Sequence, residues 1–84
     1  MSQNNLGICY EKGLGTGKDY KKAFEWYFKS ANNGSGEGQN NLGECYRYGI
    51  GTEINIEGAV TWYKRASCNG IVSANIESKI VSIN

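Results

Sequence analysis

The chain has 84 residues, a net charge of +1 and no histidine. This length allows one small domain, and interspersed charges without a basic block argue against nucleic-acid and membrane-surface partners. A membrane-spanning helix needs a run of about 18 apolar residues, which the sequence lacks.

The amino-terminal stretch MSQNNLG lacks the charged and apolar regions of a signal peptide, so we expect a cytoplasmic protein. Three cysteines without a C-x-x-C pair agree with a reducing compartment. Metal sites need clustered His, Cys or carboxylate ligands, and a chain without histidine also lacks the usual general base. We therefore expect no metal, no cofactor and no catalytic residues.

The first predicted helix covers residues 2–12. Leu6 and Tyr10 form an i, i+4 pair on one face. Gly7 lies inside this helix at a cost of about 1 kcal/mol relative to alanine, which suggests close approach of a neighbouring helix. Gly13 is expected to end the helix in a left-handed conformation.

The glycine-rich stretch GLGTGKDY, residues 13–20, raises the question of a phosphate site. A P-loop requires G-x-x-x-x-G-K-[ST]. Counting back from Gly17 and Lys18, the first glycine position is Lys12, and the hydroxyl position is Asp19. The stretch therefore predicts a turn, and nucleotide binding is disfavoured.

The second predicted helix begins after Asp19, whose side chain is a good N-cap. It ends at Asn33-Gly34. Its apolar residues follow helical spacing: Tyr20, Ala23, Phe24, Tyr27 and Ala31. Trp26, and Trp62 in the second copy, flank this face, and we expect them to pack between neighbouring helical pairs.

The same two elements occur again 36 residues later. Residues 3–34 align with 39–70 without a gap, and 15 of the 32 positions are identical. A fixed period in the range of about 20–50 residues indicates a stacked-repeat architecture. The second copy is predicted to have a helix over residues 37–48, an N-cap at Asn55, and a helix that ends at Asn69-Gly70. Its glycine stretch, GIGTEINI, has no lysine, which again indicates a turn.

The third copy is degenerate. Ser78 and Lys79 stand where the Leu-Gly pair is expected, whereas Val72, Ile76, Ile80 and Ile83 keep roughly helical spacing. We divide the chain into a first repeat at residues 1–34, a second repeat at 35–70 and a degenerate capping helix at 71–84. The alternative for the last segment is the tail of a shortened chain. Since about three repeats are usually needed for stability, the chain is expected to stack on another repeat or on itself.

These motifs resemble the Sel-one-like repeat, a relative of the tetratricopeptide repeat that is also described as HCP-like. The matching residues are those of a Leu-Gly-x-x-Tyr-x-x-Gly-x-Gly pattern followed by an Ala-x-x-Trp-Tyr pattern: Leu6, Gly7, Tyr10, Gly13, Gly15, Ala23, Trp26, Tyr27, Ser30 and Gly34, with Leu42, Gly43, Tyr46, Gly49, Gly51, Ala59, Trp62, Tyr63, Ala66 and Gly70. The resemblance implies an all-α fold, an α/α superhelix or solenoid of antiparallel helix pairs. It further implies a non-catalytic scaffold or adaptor that binds other proteins or peptides, for example in signalling.

In the related tetratricopeptide architecture the first helix of each pair lines a concave groove. Carried over by the Leu-Gly register, this predicts a partner-binding groove formed by Asn4, Ile8, Glu11, Lys12, Glu37, Asn40, Glu44, Arg47 and Tyr48. Two alternatives remain. The chain is a structural segment of a longer repeat array, for example one attached to a kinase, or it is a hydrolase like some cysteine-rich relatives. The sequence disfavours the hydrolase because it has no S-x-x-K motif and no histidine.

Overall fold

A computed structural model describes residues 3–68, which form four helices and no strand. The helices are α1 (Gln3–Lys12), α2 (Tyr20–Asn32), α3 (Gly36–Tyr48) and α4 (Ile56–Cys68). The predicted capping helix at 71–84 and the helix stop at Asn69-Gly70 lie outside the described residues. The fold is an all-α helical repeat, as the sequence indicates.

Each hairpin is closed by equivalent backbone hydrogen bonds. The Asp19 amide donates to the Tyr10 carbonyl at 2.8 Å, and the Asn55 amide donates to the Tyr46 carbonyl at 2.7 Å. The same two loop residues cap the following helices, because their side-chain oxygens accept from the amides of Lys22 and Gly58. The two hairpins therefore have the same loop structure, and both predicted N-caps are confirmed.

Two clusters of buried residues form the core. The first lies between α2 and α3, and the second includes residues of α4; together they comprise Ala23, Tyr27, Ala31, Leu42 and Cys45, then Ala59, Tyr63 and Ala66. Tyr46 packs against both clusters. The helix α3 contacts α2 on one side and α4 on the other, so it joins the two hairpins into one body.

Position in the stack determines how deeply equivalent residues are buried. Leu42 and Cys45 on α3 are fully buried, whereas Leu6 and Cys9, 36 residues earlier on α1, are only partly buried. In the described part of the chain, α1 has its main contacts with α2 alone, while α3 lies between two helices. Repeat residues are thus core residues only where a second helix covers them.

Tyr20, which the spacing assigns to the apolar face of its helix, and its counterpart Ile56 in the second repeat are more exposed than this spacing predicts. Tyr20 is 46% exposed and Ile56 is 36% exposed. Both occupy the first position of their helix, at the loop end of the hairpin, and the buried part of each helix begins three residues later at Ala23 and Ala59.

Candidate protein-binding surface

The first helices of the two repeats are joined by a polar contact. The side-chain amide of Asn41 donates to Oδ1 of Asn4 at 2.8 Å, and Nδ2 of Asn4 donates to the Glu37 carboxylate at 3.4 Å. Asn4 is only 5% exposed. Its two hydrogen bonds connect α1 to α3. We call the residues predicted for the groove the A-helix surface; within it, Asn4 and Glu37 form a contact between the two helices.

A tyrosine from the second helix of each hairpin meets this surface. In the first repeat, the Tyr27 hydroxyl donates to the Glu11 carboxylate at 2.7 Å. Burial and this hydrogen bond both raise the pKa of Tyr27 well above its usual range. The Glu11 carboxylate is therefore held in place by the core of its own hairpin.

The second repeat uses the same tyrosine with the opposite charge beside it. Arg47 occupies the position equivalent to Glu11. It interacts electrostatically with the hydroxyl of Tyr63, the counterpart of Tyr27. Burial raises the pKa of Tyr63 to about 12, and the Glu44 carboxylate adds to this effect while Arg47 opposes it. The two equivalent tyrosines thus have a carboxylate beside them in the first repeat and a guanidinium beside them in the second.

The exposed end of the A-helix surface combines a cation with an aromatic ring. The Arg47 guanidinium lies 5.1 Å from the centroid of the Tyr48 ring, and Tyr48 is 56% exposed. Lys12 is exposed, and Ile8 is partly buried against the core. The guanidinium and the ring are close enough for a cation–π interaction.

Asn40 differs from its counterpart in the first repeat. Its Oδ1 atom is buried and has no hydrogen-bond partner among the residues that the structure describes. Asn4, 36 residues earlier, accepts from Asn41 at the same atom. A buried carbonyl oxygen without a donor is unfavourable, so this position on α3 favours a donor group.

The buried Cys45 thiol keeps its proton at neutral pH. Burial, together with the negative charges of Glu11 and Glu44, raises the pKa of the Cys45 thiol to about 12. Within residues 3–68, no group of three His, Cys, Asp or Glu side chains is arranged to hold a metal ion. Over the same residues, no helix is long and apolar enough to cross a membrane.

Sequence reasoning missed two features of this surface. It did not identify Asn41 as the donor that joins the repeats, or Tyr27 and Tyr63 as residues that reach the A-helix surface. The repeated QNN and Trp-Tyr motifs showed that these positions matter to both copies. Only the packing of the helices shows what they contact.

The sequence profile of the Sel1 repeat matches residues 1–35 and again 36–71. The chain belongs to the Sel1 repeat family. Sel1 repeats are in general protein-interaction scaffolds.

Individual relatives agree with this membership. The chain is 56% identical over 34 residues to L21, a sel1-like repeat-containing protein of Acanthamoeba polyphaga mimivirus, and this match covers 40% of the chain and 6% of L21. A Sel1 repeat protein from Oxalobacter formigenes is similar in structure, with a TM-score of 0.86 and 39% identity over 89% of this chain and 31% of that one. The protective antigen c5321 of uropathogenic Escherichia coli, which displays an SLR fold, has a TM-score of 0.84 and 32% identity over 86% of this chain and 15% of that one. The chain spans less than a third of each relative.

Proposed function

We propose that this Sel1 repeat chain is a non-catalytic, intracellular adaptor that binds other proteins or peptides on its A-helix surface. One observation carries the proposal: residues shared by the two copies build the hairpins, whereas the paired positions of the A-helix surface differ, except for Asn4 and Asn40. Ile8, Glu11 and Lys12 correspond to Glu44, Arg47 and Tyr48. A constant frame with changed side chains is what a recognition surface requires.

The chemistry of this surface favours a peptide with polar and charged groups. Arginine and tyrosine are enriched among the residues that dominate binding energy at protein interfaces. The Arg47–Tyr48 pair is already in contact, which lowers the entropy lost when a partner orders it. Glu11 is held by the Tyr27 hydroxyl and adds a carboxylate to this surface.

The buried ionisable groups support a scaffold over an enzyme. Tyr27, Cys45 and Tyr63 all have a raised pKa, so each keeps its proton at neutral pH. A nucleophile or general base requires the opposite shift or a neighbouring base. We further propose, from the sequence alone, that the chain acts as an adaptor in signalling and that residues 71–84 serve as a cap.

The test uses peptides selected from a displayed random library against residues 1–84. We expect the selected peptides to compete for one site and to lose about tenfold or more in affinity for the Arg47→Ala, Tyr48→Ala double variant, since the variant removes an anchor of the kind that dominates interfaces. Fluorescence anisotropy measures affinity, and circular dichroism shows that the variant keeps its helices.

A matched control comes from the loop end of α2. The Lys18 ammonium lies 5.5 Å from the centroid of the Tyr20 ring, and Tyr20 is 46% exposed. The Lys18→Ala, Tyr20→Ala variant therefore removes a similar cation–aromatic pair from another surface and is expected to bind normally. Peptides that bind the Arg47→Ala, Tyr48→Ala variant with full affinity would refute the assignment. Failure to select any peptide would favour the alternative of a structural segment in a longer array.

A further inference from the structure

A row of four aromatic rings crosses both repeats, with Phe24 and Phe28 from α2, Trp62 from α4 and Tyr46 from α3. The Phe24 ring lies edge-on to Tyr46, with centroids 5.6 Å apart, and 6.0 Å from Phe28. Phe28 in turn meets Trp62 of α4 at 6.4 Å with an interplanar angle of 64°. Edge-to-face contacts at these distances are favourable, so the rings form an ordered apolar surface that connects the hairpins.

This surface contains an open cavity. It has a volume of about 260 Å³ and is lined by Phe24, Glu25, Phe28 and Lys29. Phe28 is 41% exposed. Pockets for small molecules are usually about 300–1,000 Å³, so this cavity is suited to one or two side chains of a protein partner. We call it, with the rings around it, the aromatic groove.

The aromatic groove is not part of the repeat frame. In the second repeat, Val60 stands in place of Phe24 and Lys64 in place of Phe28, while the tyrosines at 27 and 63 are retained. The hairpin therefore folds with a lysine at the position of Phe28. A phenylalanine that is 41% exposed, at a position where the second repeat has lysine, is therefore not required for the hairpin to fold.

The charges around the groove are mainly positive. The Lys29 ammonium lies 4.6 Å from the Trp26 ring centroid, and the Arg65 guanidinium lies 4.7 Å from that of Trp62. Together α2 and α4 carry five lysine or arginine residues and two glutamates, whereas α1 and α3 carry two and three respectively. The two layers of helices thus have opposite net charge, and the field at the groove attracts an acidic partner.

We propose that the aromatic groove docks an acidic amphipathic helix of another protein. A leucine or phenylalanine of that helix enters the cavity beside Phe28, and its carboxylates face Lys29 and Arg65. This is the helix-in-groove mode of recognition, in which apolar anchors at i, i+3, i+4 and i+7 fill a preformed groove. Glu25, which also lines the cavity, orients the partner by repelling carboxylates from that side.

The probe is a fluorescein-labelled synthetic helix of about 16 residues, roughly four turns, with leucines on one face and glutamates elsewhere. Its comparison peptide has lysine in place of every glutamate. We expect the acidic peptide to bind the full chain with an affinity that falls as salt is added, and we expect no binding of the lysine peptide.

Variants locate the site. Phe28→Gln is expected to weaken binding by about tenfold or more, and Arg65→Gln by several-fold. The Arg47→Ala, Tyr48→Ala variant is expected to bind this probe normally, so failure here and failure of the A-helix surface are separable. Circular dichroism checks that Phe28→Gln keeps its helices. We expect it to do so because the Phe28 side chain is exposed and its counterpart in the second repeat is a lysine.

Three results would overturn the proposal. The first is acidic-peptide binding that is unchanged in Phe28→Gln, and the second is equal binding of the lysine peptide. The third is Phe28-dependent dimerisation in light scattering without peptide binding, which would make a second copy of the chain the occupant.

Discussion

The pairing of glycine with tyrosine is the residue-level feature that both repeats share. A Cβ atom at Gly7 would lie 2.5 Å from the Tyr27 ring, and one at Gly43 would lie 2.8 Å from the Tyr63 ring. Real side chains do not approach so closely, so each glycine makes room for the tyrosine of its own hairpin. The doubling of the Leu-Gly motif in the sequence predicted this close approach, and it is confirmed.

The buried protonated groups predict how stability depends on pH. Burial raises the pKa of Cys45 from 9.0 to about 12 and that of Tyr63 from 10.0 to about 12. The unfolded chain releases these protons at lower pH than the folded chain. The stability they contribute is therefore complete below about pH 9 and is lost as the pH rises toward 12, by about 1.4 kcal/mol per pH unit for each group within its window.

Urea unfolding followed by circular dichroism between pH 8 and pH 11 measures this dependence. We expect Cys45→Ala to remove the part of the decline that begins near pH 9. Tyr20→Phe, at a residue that is 46% exposed, is the control and should follow the unmodified chain. A free energy of unfolding that stays constant from pH 9 to pH 11 would contradict the assignment.

The helices and their ends followed from local signals, whereas the contacts of the A-helix surface did not. The N-cap at Asp19 and the left-handed Gly13 are short-range features and were predicted correctly, and Gly49, the counterpart of Gly13, has the same conformation. Asn4 meets Asn41 across 37 positions, and Tyr27 meets Glu11 across 16. Such contacts depend on how helices pack, which periodicity does not specify.

The two hairpin loops differ in whether their second glycine packs against a neighbouring helix. Gly15 and Gly51 are equivalent and have φ angles of 76° and 73°. A Cβ atom at Gly15 would meet nothing within 4 Å, whereas one at Gly51 would collide with the Tyr20 carbonyl and lie 2.7 Å from Cβ of Phe24. The second loop therefore packs on the start of α2, whereas Gly15 of the first loop has no such neighbour within residues 3–68.

This difference predicts unequal costs for the same substitution. Gly15→Ala should lower the free energy of unfolding by about 1–2 kcal/mol, because alanine disfavours the left-handed conformation. Gly51→Ala carries this cost and a further penalty of about 1–3 kcal/mol from overpacking against α2. Chemical denaturation compares the two variants directly. Equal costs would show that the second loop does not pack on the first repeat.

At the scale of the whole molecule, the two Sel1 repeats are predicted to fold as one unit because α3 contacts a helix of each hairpin. It packs against α2 and α4, and Tyr46 contacts both buried clusters. The amide of the Gln39 side chain also donates to the Ala31 carbonyl across the junction. Both proposed binding surfaces cross this junction, so each requires the repeats to be held in a fixed relation.

The sequence offers a direct probe of this claim, since each repeat contains one tryptophan. Trp26→Phe leaves only Trp62 of α4 as a reporter, and Trp62→Phe leaves only Trp26 of α2. In each variant, urea unfolding is followed by tryptophan fluorescence and by the helical signal in circular dichroism. We predict that the two transitions coincide in both variants, as they do for a single cooperative unit. Separate midpoints, with one hairpin unfolding while the other remains helical, would contradict the account.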